Sequence, residues 1–382
     1  MAGHIRKLEG GRYMARFPLG QRGKFRSKTF ERRLDADRWL TSQNSARDRG
    51  EWVDPAHAAE SFRVVADGWL AGRRDVAESS RARDTSYLRN LILPFFGQLR
   101  LRDVTADVLD GWVATLDEDY APATTRKAFN IASQVLDRAV ILRKIPANPA
   151  RVKGAVSLPA LDPSEMRFLS VEEFGEFADA VDPRYRALVV SGAYTGLRWG
   201  ELAGLKAKYL DLGAGTVTVA ESLYEVGGKL GWKSPKSKAS RRTITLPPYL
   251  IEELHDYLGK HPVVGEGLLF PDTAGGPLRR SNFSRRVFKP AVATSVGEPM
   301  RVHDLRHTHA AWLIANGEHP KTIQTRLGHG SIKTTLDLYG HLMPGLDEAA
   351  AGRLEGPGKH SGSTQTRATV SEIVSKQTKT SG

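Results

Sequence analysis

Apolar and polar residues alternate at the start of the chain and then change to helical spacing. Tyr13, Ala15 and Phe17 fall on one face of a strand, with Arg12, Met14 and Arg16 on the other. Gly20–Gly23 predicts a turn, and Phe25–Phe30 a return strand accompanied by Lys24, Arg26 and Lys28. Leu34, Trp39 and Leu40 suit a short helix behind this sheet. Residues 54–60 read as a linker. From Ser61 to Ile145 the spacing is helical throughout, with stripes at Phe62, Val65, Trp69 and Leu70, and at Tyr87, Leu88, Leu91 and Ile92. Thr105 can cap a third helix bearing Leu109, Trp112, Val113 and Leu116. Thr124 to Ile145 is a fourth, with Phe129, Ile131, Val135, Leu136, Ala139 and Val140 inward. These stripes read as the core of a four-helix domain that ends near Asn148-Pro149.

Residues 150–164, with Pro159 and Pro163, form a second linker. Ser170 with Glu173 makes a capping box that opens a new domain, and Phe174 and Phe177 follow at helical spacing. Tyr185–Thr195 is an apolar helix broken at Gly196, and another begins over Leu197–Leu202. Strand patterns at Thr216–Ala220, Leu223–Glu225 and Arg242–Leu246 predict a small antiparallel sheet or hairpin, with a basic loop from Lys229 to Arg242. Helices are expected over Leu250–Leu258 and Phe283–Val287. Short ones then carry His303–His307, Pro320–Leu327 and Tyr339. An amphipathic segment with Leu346 and Leu354 follows Pro344, and residues 356–382 read as a mobile tail. The expected fold is multi-domain and mainly α with small β-sheets. A sheet-plus-helix domain spans 1–53, a helical domain 60–150 and an α+β domain 165–352.

Composition narrows the function. The 382 residues are 40% hydrophobic, enough for real cores, and carry a formal net charge of +13. A soluble chain this basic ordinarily meets a polyanion, of which nucleic acid is the commonest. Residues 1–50 hold 13 Lys or Arg against 5 Asp or Glu, most of the excess in an eighth of the length. A basic sheet backed by a helix is a groove-reading device, so Arg12, Arg16, Lys24, Arg26 and Lys28 are candidate DNA contacts. Arg126 and Lys127 on the fourth helix, and Lys238, Arg241 and Arg242 in the basic loop, join them. The absence of cysteine excludes disulfides, thiolate zinc sites and cysteine nucleophiles. With no apolar signal core and no run of membrane-spanning length, a cytoplasmic, nucleoid-associated protein without membrane contact is expected.

Chemistry concentrates between His303 and Tyr339. His303 and Arg306 lie three residues apart on one helix face, and His329 and Tyr339 follow on short segments. Arginine forks match phosphate oxygens, imidazoles exchange protons and a tyrosine oxygen can attack. Arg198 stands at a helix start after a glycine break, where it either pairs with Glu201 or joins Arg306 on one phosphate. Tyr339 needs a base or a positive field, which His303 or His329 with both arginines can supply. A lysine of the basic loop can protonate a leaving oxygen. His303 and His307 also have the i, i+4 spacing of zinc ligands, but Asp304 replaces the catalytic Glu of that motif and no third ligand stands nearby. No metal and no cofactor are expected.

Taken together, Thr195-Gly196-Leu197-Arg198-Trp199-Gly200-Glu201-Leu202, Pro235-Lys236-Ser237-Lys238, His303-Asp304-Leu305-Arg306-His307, Leu327-Gly328-His329 and Tyr339 resemble the tyrosine recombinase family, the phage-type integrases. The pieces occur in family order, and the upstream layout resembles an arm-binding domain followed by a core-binding domain. The resemblance implies that Arg198 and Arg306 hold the scissile phosphate and that Lys236 is the acid for the 5′-hydroxyl, with Lys233 and Lys238 as neighbouring choices. It implies that His303 assists as acid or base, that His329 bonds a phosphate oxygen and that Glu201 orients the site. Tyr339 would attack to form a 3′-phosphotyrosyl link. Double-stranded attachment-site DNA, a homotetramer on DNA working through a Holliday junction, a host bending factor and an excisionase are the implied partners, and integration and excision of a mobile element the implied outcome. The segment after Pro344 would dock on a neighbouring subunit. The competing readings are a type IB topoisomerase-like relaxing enzyme, a non-catalytic DNA-binding protein and a histidine metalloenzyme.

Overall fold

A computed structural model of the chain describes residues 3–19, 25–48, 52–53, 57–161, 166–234 and 241–340. They divide into two compact units between Met166 and Arg167, with Leu223–Lys233 grouping with the first. Lys24, Lys236, Lys238, the segment after Pro344 and the tail at 356–382 lie outside the described residues. Among the described residues no helix is long and apolar enough to cross a membrane.

The first unit opens with an antiparallel sheet of β1 (His4–Lys7), β2 (Tyr13–Pro18) and β3 (Phe25–Phe30), followed by α1 (Arg33–Asp48). Alternation decides its faces. Ala15 and Phe17 are buried with Ala36 and Leu40 of α1, and Ile5, Tyr13, Phe30 and Trp39 pack around them. The register sets Ala15 opposite Lys28 and Phe17 opposite Arg26, so these two cations share the α1-facing side of the sheet. Arg26 donates to Gln43 and stacks over Trp39, and Lys28 lies over Phe30. Arg16 projects from the opposite, open face, over the ring of Phe25, and its strand partner on that face is His4. The basic residues read from sequence as one DNA-contacting set therefore divide between two faces.

A helical body follows, with α2 (Phe62–Ala71), α3 (Glu78–Tyr87), α4 (Leu93–Phe96), α5 (Ala106–Asp119) and α6 (Pro122–Ile141). A π turn, Leu88–Ile92, joins α3 to α4 into one rod, which leaves four helical stretches. It precedes Pro94, which cannot donate to the preceding turn and would clash with it in a regular helix; widening the turn relieves both faults. Thr105 caps α5 by accepting from the Val108 N–H at 3.3 Å. The expected stripes form the core, with the Trp112 ring edge-on to Phe96 and its indole N–H bonded to the Leu91 carbonyl. Arg126, a candidate DNA contact, donates to the Pro159 carbonyl at 2.8 Å, and Lys127 is half-buried.

In the second unit, the Ser170–Glu173 capping box starts α7 (Val171–Ala180). Next come α8 (Pro183–Thr195) and the single turn α9 (Trp199–Ala203). α8 is buried along most of its length, and a side chain at Gly192 would meet Leu305 at 3.1 Å, so its absence lets α8 pack closely on the helix that carries Leu305. β4 (Leu210–Asp211), β5 (Thr216–Val219) and β8 (Arg242–Thr245) form a sheet in the order β4-β5-β8, and between β5 and β8 in sequence lie β6 (Ser222–Val226) and β7 (Lys229–Lys233), which group with the first unit from Leu223 onward. The start of the expected basic loop is thus strand: β7 pairs with β6 in a two-stranded sheet. After α10 (Pro248–Lys260) come α11 (Arg280–Phe283), a π turn at Ser284–Phe288 and α12 (Lys289–Ser295), where Pro290 repeats the arrangement seen before Pro94. The unit ends in α13 (Asp304–Ala315), α14 (Pro320–Leu327) and α15 (Ile332–Tyr339).

Candidate active site

Two helices that end on glycine frame the site. α8 stops at Gly196 and α14 at Gly328, both left-handed with φ of 66°, a conformation open to glycine at little cost. Each break aims carbonyls at an arginine, where the negative helix end also favours a cation. Arg306 on α13 donates from Nη1 to the Gly196 carbonyl at 2.6 Å and from Nη2 to the Leu327 carbonyl at 2.7 Å. Arg198, the N-cap of α9, donates from Nη2 to the Gly328 carbonyl at 3.2 Å. The two guanidinium groups, over a hundred residues apart in sequence, meet at the Gly328 break, Arg306 on the Leu327 carbonyl and Arg198 on that of Gly328.

Glu201 joins them. Its carboxylate accepts from the Arg198 backbone and from Arg198 Nη1, both at 3.0 Å. Arg198 thus pairs with Glu201 and, in doing so, still stands beside Arg306. Glu201 also accepts from Arg242 Nη1 at 3.3 Å and Nη2 at 3.0 Å. Burial would raise the Glu201 carboxyl, but the bonds and charge of Arg242 and then Arg198 outweigh it and hold the group below its usual range. Arg242 was a candidate DNA contact on sequence, and the structure corrects this. It is 7% exposed, its Nε donates to the Arg326 carbonyl at 2.6 Å, and a Cβ on Gly328 would meet its Nη1 at 2.8 Å. Alternation on β8 turns it inward while Arg241 remains exposed.

The solvent-facing and buried members divide clearly. The Arg198 side chain is 39% exposed and His303 is exposed, whereas Arg306, His307, His329 and Tyr339 are buried. Burial, then the charges of Arg198 and Arg242 against Glu201, pull Arg306 down to about 9, which leaves it a cation at neutral pH. His329 bonds Thr335 Oγ1 through Nδ1 at 2.9 Å, and burial followed by Arg306, Arg198 and Arg242 pushes it down to about 4. The low-polarity protein around His303, then His307 and Arg306, push its ring to about 4. Tyr339, 1% exposed at the end of α15, is raised to about 12 by burial, against the pull of Arg306 and Arg198. Its hydroxyl shares a 2.8 Å hydrogen bond with His307 Nδ1.

The structure thus gathers Arg198, Glu201, Arg306, His329 and Tyr339, with His303 at the edge. Reasoning from sequence weighed His307 only as a zinc ligand and passed over Thr335. The signal was spacing: His307 lies one turn from His303, and Thr335 one turn from Tyr339. Among the described residues, no group of three or more His, Asp or Glu side chains is placed to hold a metal ion.

Two results follow from this geometry. An alanine at Gly196 would place Cβ 2.7 Å from both His309 and Leu327 in a left-handed conformation. Gly196→Ala is expected to cost about 2–5 kcal/mol, the sum of backbone strain and overpacking, measured by urea unfolding. His329 sets the acid response. Burial holds His329 down to about 4 in the folded chain against an ordinary value of about 6.5 when unfolded, so the unfolded state binds more protons between these values. Stability should hold above pH 6.5 and fall as pH drops toward 4, read as a thermal midpoint across that window.

Comparison with known proteins extends over most of the chain. A model described as the phage integrase family matches residues 166–344, one for the phage integrase N-terminal domain matches 1–49, and one for the phage integrase central domain matches 62–155. A prophage phiRv2 integrase of Mycobacterium tuberculosis is 32% identical, covering 92% of this chain and 94% of its own. A structure of the Tn1549 transposon integrase in complex with transposon right end DNA aligns with a TM-score of 0.68 at 21% identity, over 77% of this chain and 99% of that one. A lambda integrase tetramer bound to a Holliday junction aligns at 0.55 with 18% identity, over 86% and 96%. At these identities the two structures speak to the fold.

Proposed function

The chain belongs to the phage integrase family of tyrosine recombinases, and on that premise we infer how its residues divide the work of a site-specific integrase that cuts and rejoins DNA. The observation that carries the reading is the shared cradle: the Gly196 and Gly328 breaks hold Arg198 and Arg306 together, with Tyr339 buried in the field of both. Two guanidinium groups on one phosphate neutralise the charge that grows on its non-bridging oxygens, the work a metal ion does in other phosphoryl-transfer sites. Arg198 and Arg306 bind the scissile phosphate. Glu201, locked by Arg242, orients Arg198. A neutral His329 whose Nδ1 accepts from Thr335 carries its proton on Nε2, which makes it a donor to a phosphate oxygen. His303 assists from the exposed rim.

Tyr339 attacks phosphorus, forms a 3′-phosphotyrosyl link and expels the 5′-oxygen, which Lys236 protonates. Rejoining reverses these steps on a partner strand, and the exchange passes through a Holliday junction in a tetramer on attachment-site DNA. Residues 1–53 bind arm sequences, 60–150 the core site and 165–352 carry the chemistry. Arg12 and Arg16, with Arg126, Lys127 and Arg241, contact phosphates or bases. A host bending factor and an excisionase set the direction, and the element moved is a phage or another mobile element.

The test is a map of covalent adducts formed by the full chain on a library of random-sequence duplexes mixed with bacterial genomic DNA. Adducts at a small family of related sequences, with strand exchange between two such duplexes, are expected. Relaxation of any supercoiled plasmid with no preferred cleavage sequence would support a type IB topoisomerase instead.

A further inference from the structure

We propose that His307 is the base that receives the Tyr339 hydroxyl proton during attack, an assignment that rests on Tyr339 being the nucleophile. The carrying observation is the 2.8 Å hydrogen bond between His307 Nδ1 and Tyr339 Oη, with both residues buried. The other two imidazoles are placed for different work. His329 Nδ1 is taken by Thr335, and His303 meets the edge of the His307 ring at a centroid separation of 4.9 Å. The His307 and Tyr339 rings lie 5.7 Å apart and tilted by 60°, which suits the edge-on approach of the hydroxyl to Nδ1.

The surroundings suit a base. Burial disfavours the imidazolium, as do Arg301 and Arg306, so His307 is neutral at rest and free to accept. Asp304, buried and fixed by the backbone N–H and side chain of Arg301, favours the imidazolium once it forms. His303, at the start of α13, and Tyr339 itself also face the ring. A hydroxyl raised to about 12 is almost wholly protonated at neutral pH and needs an acceptor within hydrogen-bond reach.

In the cleavage step the His307 ring proton sits on Nε2 and the Nδ1 lone pair faces the hydroxyl. The Oη–H bond breaks and its proton passes to Nδ1. The Oη–P bond forms, the P–O5′ bond breaks and O5′ takes a proton from Lys236. In rejoining, the 5′-hydroxyl attacks phosphorus and gives its proton back to Lys236, the Oη–P bond breaks and Nδ1 returns its proton to Oη. No other reactant enters.

The experiment measures single-turnover adduct formation on a nicked duplex carrying the mapped cleavage site. His307→Ala and His307→Asn are each expected to slow it by about 10²–10⁴-fold at pH 7 with DNA binding near wild type, and His307→Asn, which keeps an acceptor for the buried hydroxyl, should lose less stability than His307→Ala. Asparagine keeps an acceptor near Nδ1 but cannot take a proton. Added imidazole should restore part of the His307→Ala rate, and both variants should gain rate with rising pH where wild type is flat. With sulfur in place of O5′, the leaving group needs no acid: Lys236→Ala recovers and His307→Ala does not. A wild-type rate for His307→Asn, or recovery of His307→Ala with the sulfur substrate, overturns the assignment. A surviving adduct in Tyr339→Phe overturns the nucleophile beneath it, a distinct result.

Discussion

Arg306→Ala is expected to reduce adduct formation by about 10³-fold and to destabilise the catalytic unit by at least about 2 kcal/mol. The two losses have one origin. Arg306 is 2% exposed, and its terminal nitrogens satisfy the Gly196 and Leu327 carbonyls at 2.6 and 2.7 Å. Truncation removes a charge aimed at the phosphate and leaves two buried acceptors without their donor, at about 1–3 kcal/mol each. Lysine is not an equivalent: it restores the charge, but a single nitrogen cannot reproduce a fork that spans two chain breaks. Arg306→Lys should therefore recover less than about a tenth of the lost rate. Single-turnover cleavage of the mapped duplex, paired with urea unfolding, measures both effects. A variant that loses cleavage with unchanged stability would mean that the carbonyl cradle does not hold the arginine.

Arg242→Ala is expected to cost about 3–5 kcal/mol and most of the activity, although Arg242 need not touch DNA. Glu201 lies buried between Arg242 and Arg198, and removing the more buried cation leaves a desolvated carboxylate with one partner. Arg242 also donates to the Arg326 carbonyl and packs against Gly328, so its loss loosens the loop that presents His329. Pairing Arg242→Ala with Glu201→Gln should return part of the stability by removing the uncompensated charge, a coupling that a double-mutant cycle reads directly. A simple phosphate contact behaves differently: its removal lowers the salt dependence of DNA binding by about one counterion and leaves stability alone.

The contrast between these two arginines marks what can be read from the residues. Arg198, Glu201, Arg306, His329 and Tyr339 were singled out because their motifs resemble those of a family in its order, and the structure brings these five side chains together. The stripes of the central helices and the capping box at Ser170 were legible from period and spacing alone. Arg242 was not, because a basic run looks solvated until strand alternation turns one member inward, and pairing with β5 decides which member that is. Arg26 and Lys28 show the same limit: the register with β2 sends them to the α1 side while Arg16 faces away. His307 was hidden for another reason. Its partner is thirty-two residues on, and only the packing of α15 brings the hydroxyl to its ring.

The central claim is that the chemistry passes through Tyr339. Full-length wild type and Tyr339→Phe are compared on the mapped nicked duplex, with the DNA-linked peptide identified by mass. The account predicts a covalent adduct on the peptide containing Tyr339 in wild type, and none in Tyr339→Phe while DNA binding stays near wild type. An adduct that persists in Tyr339→Phe, or a link to another residue, would contradict it.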